Sequence, residues 1–224
     1  MPIILFDIDG TLIRTGGAGK AAMEAGLRDA FGITEINDVV PYSGRTDRAI
    51  SRDLLAVHGI DPTPANARKL QDAYLASLPR SLKAGGGRVC PGVGELLAAL
   101  HPQPGTVLGL LTGNVRAGAM HKLGHFGLWN YFACGGFGDD HFDRDDVARM
   151  AVAEVRAHLG REVDPGDVWV IGDTPLDVRC ARAIGAKAVA VATGWHPFDE
   201  LAGCDPDFLF ADLSDYDRVA ATWR

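Results

Sequence analysis

The sequence predicts an α/β fold: a doubly wound parallel sheet with a small helical block inserted after its first strand. Three observations predict it. From Gly94 onward, short apolar runs alternate with helix-length patterns, the signature of strands joined by crossover helices. The opening run, Ile3 to Phe6, is apolar at every position, as expected of a central strand covered on both faces. The stretch from Asn37 to Arg88 shows helical patterns and no buried strand, so it interrupts the alternation rather than continuing it.

Taken in order, the first strand runs into Asp7, Ile8, Asp9, Gly10 and Thr11. Side chains alternate along an extended chain, so Asp7 and Asp9 point the same way as the chain leaves the sheet, and Gly10 permits a tight turn. A glycine-rich turn then leads into an amphipathic helix over Ala18 to Phe31. The glycines beside Lys20 suggest a phosphate loop, but Ala21 stands where that loop needs Ser or Thr, and the turn is read as a flexible hinge. Helical patterns follow over Thr46 to His58 and Thr63 to Leu82, broken by Pro62, Pro64 and Pro79. Gly85 to Gly87 and then Cys90-Pro91-Gly92 have the composition of a linker. The predicted organisation is a sheet domain formed by residues 1–14 and 91–224, with a helical domain over 15–90.

Beyond the linker the sequence predicts a helix over Gly94 to Leu100, a buried strand over Thr106 to Leu111, a helix over Val115 to Phe126 and a short strand over Tyr131 to Cys134. A long helix follows over Asp145 to Leu159, then a strand over Val168 to Ile171. Thr174 and Pro175 have the chemistry of an N-cap and first helical residue for a helix ending at Ala183. Ala188 to Ala192 and Phe208 to Phe210 are further strands, and a last helix starts near Leu213.

Composition narrows the function classes. A formal net charge of −7, a pI near 5.4 and no basic run argue against nucleic acid or an anionic membrane as partner, leaving small molecules. No apolar run reaches membrane-spanning length, and the first one ends in Asp7 without a basic flank or cleavage site. Cys90, Cys134, Cys180 and Cys204 are widely spaced without a C-x-x-C pair, the pattern of reduced packing residues in a cytoplasmic protein.

Three strands end in polar groups: Asp7 and Asp9, Thr112 to Asn114, and Asp173 with Asp177. Strand ends in a parallel sheet share one edge, so neighbouring strands bring these groups together. Two carboxylates as close as Asp7 and Asp9 need a cation or a shared proton. Mg2+ held by the Asp7 carboxylate and backbone oxygen near Asp9 is one solution; the other keeps Asp9 partly protonated as a general acid. Thr112 and the amide of Gly113 can hold a phosphate oxygen, with Asn114 beside them. Asp173 can complete the metal shell, and Asp177 stands just behind it, as a ligand or as the partner of one.

Read together, DIDGT at Asp7 to Thr11, LLTGN at Leu110 to Asn114, Arg144 before a helix and GDTPLD at Gly172 to Asp177 resemble the motifs of haloacid dehalogenase superfamily hydrolases, in the phosphoglycolate phosphatase-like branch. The resemblance spans essentially the whole chain and places the helical block where that branch has its small α-helical cap. It implies an Mg2+-dependent phosphatase: Asp7 the nucleophile that becomes an aspartyl-phosphate, Asp9 the acid and base, Thr112 and Gly113 the phosphoryl holders, and Asp7, the Asp9 carbonyl and Asp173 the metal ligands. The family usually has lysine at its third motif. Here Arg144 is the best-placed residue, and Lys122 lies too early, in the helix after the Thr112 strand. Asp9 suits an alkoxide that needs protonation rather than a halide. A phosphomutase uses the same carboxylate pair, and a non-catalytic phosphate or Mg2+ sensor clusters similar acids.

In the helical block, Gly44-Arg45-Thr46-Asp47 resembles the G-x-T-D segment of phosphoglycolate phosphatase-like caps, which would place Arg45 over the leaving group, with Lys20 near the hinge as a second candidate. His121 and His125 stand four apart on a helix but lack a third ligand, so they are read as surface residues. Trp129, Trp169, Trp195 and Trp223 are read as packing residues. The sequence leaves the leaving group and the oligomeric state open.

Overall fold

The computed structural model describes residues 1–223. Its centre is a six-stranded sheet made of β1 (Ile3–Phe6), β4 (Val107–Leu111), β5 (Cys134–Gly136), β6 (Val168–Gly172), β7 (Lys187–Val191) and β8 (Phe208–Phe210). The spatial order is β5-β4-β1-β6-β7-β8 and every pairing is parallel. Strand β1 is therefore flanked by β4 on one side and β6 on the other, and the chain reverses its direction of travel across the sheet there, the switch point at which ligands bind in such folds. The register pairs Phe6 with both Leu110 and Ile171. Asp7, Thr112 and Asp173 leave the sheet within one residue of the same level, so the predicted convergence follows from register alone.

Alternation of side chains along the buried strands gives two cores, one per face. Ile4, Phe6, Leu108, Leu110, Trp169 and Ile171 pack against α4 (Val93–Leu100) and α5 (Arg116–His125). Ile3, Leu5, Val168 and Val170 pack against α6 (Arg144–Leu159) and α7 (Pro175–Ala183). Each fully buried Leu or Ile contributes about 1.5–3 kcal/mol relative to exposure, which is why β1, apolar throughout, is the fixed point of the molecule. The short helices α8 (Phe198–Ala202) and α9 (Tyr216–Ala220) close the C-terminal half.

The helical block has its own core. Helix α1 (Ala18–Phe31) lies against α3 (Pro64–Ala84) through Ala22, Met23, Leu27, Leu70, Tyr74 and Leu78, with α2 (Asp47–Val57) adding Ile50, Leu54 and Leu55. Gly26 allows the close approach, since a Cβ there would lie 3.1 Å from the Tyr74 backbone nitrogen. The block joins the sheet domain through a two-stranded antiparallel ribbon of β2 (Ile13–Arg14) and β3 (Arg88–Val89), where composition suggested only hinge and linker. Among the described residues no helix is long and apolar enough to cross a membrane.

Four local expectations need correction. The strand expected over Tyr131 to Cys134 is displaced to Cys134–Gly136, and Trp129–Tyr131 form a 3-10 turn. Glycines 135 and 136 concealed it: a Cβ on Gly136 would sit 2.4 Å from the Val147 carbonyl of the helix packed over it. Pro79 does not break α3, while Pro64 occupies the first helical position, where its missing N–H costs nothing. The last helix begins at Tyr216 rather than Leu213. Trp195 does not pack: it is 87% exposed.

Candidate active site

The site is built from β1 outward. Asp7 prolongs the ladder by donating its backbone N–H to Ile171 O at 2.9 Å, and its carboxylate is buried. Ile8 turns into the core and Asp9 faces the site again, as strand alternation requires. Gly10 takes φ +93°, and a Cβ there would lie 2.3 Å from Asp173 Oδ2, so only glycine lets the loop wrap that carboxylate. Gly194 approaches from the opposite loop, its would-be Cβ 1.6 Å from the same oxygen. Thr11 donates its hydroxyl to Asp173 Oδ1 at 3.1 Å.

Asp173 enters at the end of β6, and Thr174 starts α7 with a reciprocal cap: its hydroxyl and N–H donate to Asp177 Oδ2 at 2.7 and 3.0 Å. The other oxygen of Asp177 accepts from Arg144 Nη2 at 2.5 Å. Asp177 therefore holds the helix start and the arginine, although it also offers an oxygen to the cluster below. Arg144, the first residue of α6, is buried and places the same Nη2 2.7 Å from Asp7 Oδ1. Its Nη1 donates to the Gly44 carbonyl of the helical block at 3.2 Å.

At the end of β4, Thr112 is fully buried and its hydroxyl accepts from Asn114 Nδ2 at 2.8 Å. The Asn114 amide also donates to Asp9 Oδ2 at 2.8 Å. Lys122, set aside in the sequence as lying too early, reaches back from α5 into this group. Its buried Nζ donates to Asp9 Oδ2 and to Asn114 Oδ1, each at 2.6 Å. The sequence carried a signal for it. Gly118, Ala119, Lys122 and Leu123 form the buried stripe of α5, and a cation within such a stripe needs a partner.

The helical block seats directly on these loops. Gly113 O accepts the backbone N–H of Asp47 at 2.7 Å, and the Asp47 carboxylate accepts the Val115 N–H at 2.9 Å. A Cβ on Gly113 would lie 2.1 Å from the Arg45 carbonyl. The two cations proposed to read the substrate are both engaged: Arg45 on Asp53 and Lys20 on Asp38, each at 2.5 Å. Between block and sheet lies a cavity of about 680 Å³, with Asp7, Asp9 and Arg144 on its floor and Met23, Ile50 and Tyr74 in its roof.

Burial pushes the Asp7 carboxyl up to about 6, with Arg144 pulling against it. Burial, reinforced by Asp177 and Asp7, also raises Asp173. For Lys122 burial acts downward, but the carboxylates of Asp9 and Asp47 reverse it, so its pKa is raised. For both acids, Asp7 and Asp173, burial is the larger cause, and Arg144 opposes it. Asp7, Asp173 and Asp177 each bring a carboxylate oxygen within 4.8 Å of the others, an all-oxygen set suited to a hard divalent cation. The glycine cradle around Asp173 keeps side chains out of that space, so the residues present fit Mg2+.

Three comparisons bear on identity. A phosphoglycolate phosphatase from Synechococcus elongatus is 32% identical over 96% of this chain and 95% of its own length. One from Vibrio vulnificus is 27% identical over 98% of this chain and 97% of its own length. In fold, the chain matches the crystal structure of a hydrolase from Pseudomonas syringae with a TM-score of 0.75, at 22% identity over 99% of both chains. The family model for haloacid dehalogenase-like hydrolases matches residues 4–182, the span that holds every carboxylate and cation of the floor, and the chain belongs to that family.

Proposed function

We propose that this chain is an Mg2+-dependent phosphatase that hydrolyses a small phosphomonoester through an aspartyl-phosphate on Asp7, with residues 15–90 acting as its cap. The observation that carries this reading is the division of labour between the two aspartates. Asp7 is buried and held by Arg144, whereas the Asp9 side chain is 41% exposed to the cavity and held by Lys122. One is fixed as a nucleophile and the other is free to meet a leaving group.

Asp7 attacks phosphorus, the bond to the leaving oxygen breaks, and Asp9 supplies the proton that oxygen needs. Water then attacks the acyl phosphate with Asp9 taking its proton, and inorganic phosphate leaves. Thr112 and the Gly113 amide hold the phosphoryl oxygens, and Asn114 orients Thr112 and Asp9 together. Asp7, the Asp9 carbonyl and Asp173 would hold Mg2+, which supplies positive charge for the transferring group. Asp177 serves by fixing Arg144. Arg144 fills the place of the family's usual lysine, its guanidinium reaching Asp7, Asp177 and Gly44 O together, which an ammonium cannot do with planar geometry. The relatives' phosphoglycolate phosphatase activity supports a small acidic ester as substrate.

The test is a screen of small phosphate monoesters with Mg2+ and with chelator, reading released phosphate. Metal-dependent release supports the reading. Phosphoryl transfer between hydroxyls of a sugar phosphate without release would mark a mutase, and Mg2+ binding with every ester intact would mark a sensor.

A further inference from the structure

The geometry points to a second anion subsite at the cavity mouth, formed by Arg14 and Arg88 of the hinge ribbon, that binds a carboxylate or phosphate carried on the leaving alcohol. This deepens the phosphatase reading and rests on it.

Among the described residues, the cations lining the cavity divide sharply. Lys20, Arg45, Lys122 and Arg144 each pair with a carboxylate, at 2.5 to 2.7 Å. Arg14 and Arg88, in the same lining, pair with none. They stand directly opposite each other in the antiparallel register of β2 and β3, where like charges repel. An anion between them converts that repulsion into a bidentate attraction of the kind guanidinium forks make.

Arg14 is also aimed. Its Nε donates to Thr193 O at 2.7 Å and its Nη2 to Gly194 O at 2.5 Å, and Gly194 is the residue that presses on Asp173. The guanidinium is thereby fixed to the loop that lies against Asp173, in the lining of the cavity that holds Asp7 and Asp9, with its remaining N–H groups unspent. Next to Arg88, Gly87 packs closely against the Arg14 carbonyl and Phe126, while at Gly86 a Cβ would meet nothing within 4 Å, so the open side of the ribbon lies at Gly86. Trp195 forms one wall, Arg14 Cζ lying 5.9 Å from its ring centroid, and its exposure has no packing purpose. Arg45 and Lys20 keep their acids, so the acidic end of a substrate is read at the hinge rather than under α2.

The experiment compares specificity constants for phosphoglycerate (a carboxylate), glycerol bisphosphate (a second phosphate), glycerol phosphate (neutral) and p-nitrophenyl phosphate in the wild type, Arg88→Gln, Arg88→Lys and Arg14→Gln. The subsite predicts a wild-type preference for one anionic ester over glycerol phosphate. That ratio falls about tenfold in each Gln variant, through KM, and falls less in Arg88→Lys, which keeps the charge but not the fork. The preferred ester identifies the anion. Equal wild-type constants for all four, or proportionate losses on all of them, overturn the subsite while leaving the phosphatase standing. If no ester is hydrolysed, the phosphatase reading fails and the subsite with it.

Discussion

Lys122 Nζ and Asp9 Oδ2 lie 2.6 Å apart, an ion pair whose cation is buried on the inner face of α5 and whose carboxylate opens to the cavity. A lysine eight positions beyond Asn114 thus fixes the orientation of Asp9 and, through Asn114, of the buried Thr112 hydroxyl. Lys122→Met is expected to lower kcat about 100-fold with little change in KM, since general acid–base help is worth roughly 10²–10⁴. Steady-state kinetics on a phosphate ester checks this, and an equal loss in KM would refute it.

Arg144 is a single cation between two buried carboxylates. Removing it in Arg144→Ala leaves Asp7 and Asp177 unpaired and costs about 3–5 kcal/mol of stability. Arg144→Lys restores part of that but loses the fork that spans both acids and Gly44 O. Chemical denaturation should rank the proteins wild type, Lys, Ala; an Ala variant as stable as wild type would contradict the described pairing.

Gly138 lets the block seat on the sheet domain, because a Cβ there would lie 2.1 Å from Gly113 O and 3.2 Å from Thr46 Cβ. Gly138→Ala should keep the fold but displace the loop that carries Gly113. Misplacement on the order of 1 Å costs up to about 100-fold in rate, so kcat/KM should fall at least tenfold with circular dichroism unchanged. Full activity would show that the seated arrangement is not needed for turnover.

Asp47 gives a pH signature. Burial pushes its carboxyl up to about 6 from an ordinary 3.8, with Lys122 and the Val115 N–H opposing. The folded chain therefore holds that proton more tightly than the unfolded chain, and stability falls as pH rises from about 4 to about 6, with the cost complete above 6. Asp47→Asn keeps an acceptor for Val115 and carries no charge. Its Tm should match wild type near pH 4 and exceed it at pH 7. A gap of constant size across that range would contradict the assignment.

The sheet and three strand ends were legible in the sequence because buried parallel strands have a simple signature, and Thr174-Pro175 with Asp177 announced a helix start. What stayed hidden depended on tertiary register or on helix facing. Glycines 135 and 136 gave β5 no apolar run to display. The ribbon at Arg14 and Arg88 is two residues per strand and exists only because the chain ends of the block meet there. Lys122 lies too early for the third motif, where Arg144 reaches Asp7; its own place beside Asp9 and Asn114 depends on which face of α5 turns inward.

The most direct measurement is hydrolysis of p-nitrophenyl phosphate by the purified wild type and by Asp7→Asn, each with Mg2+ and with chelator. The account predicts turnover that needs the metal and drops to background in Asp7→Asn. Turnover in Asp7→Asn comparable to wild type would contradict it, because no other carboxylate in the site could then be denied the role of nucleophile.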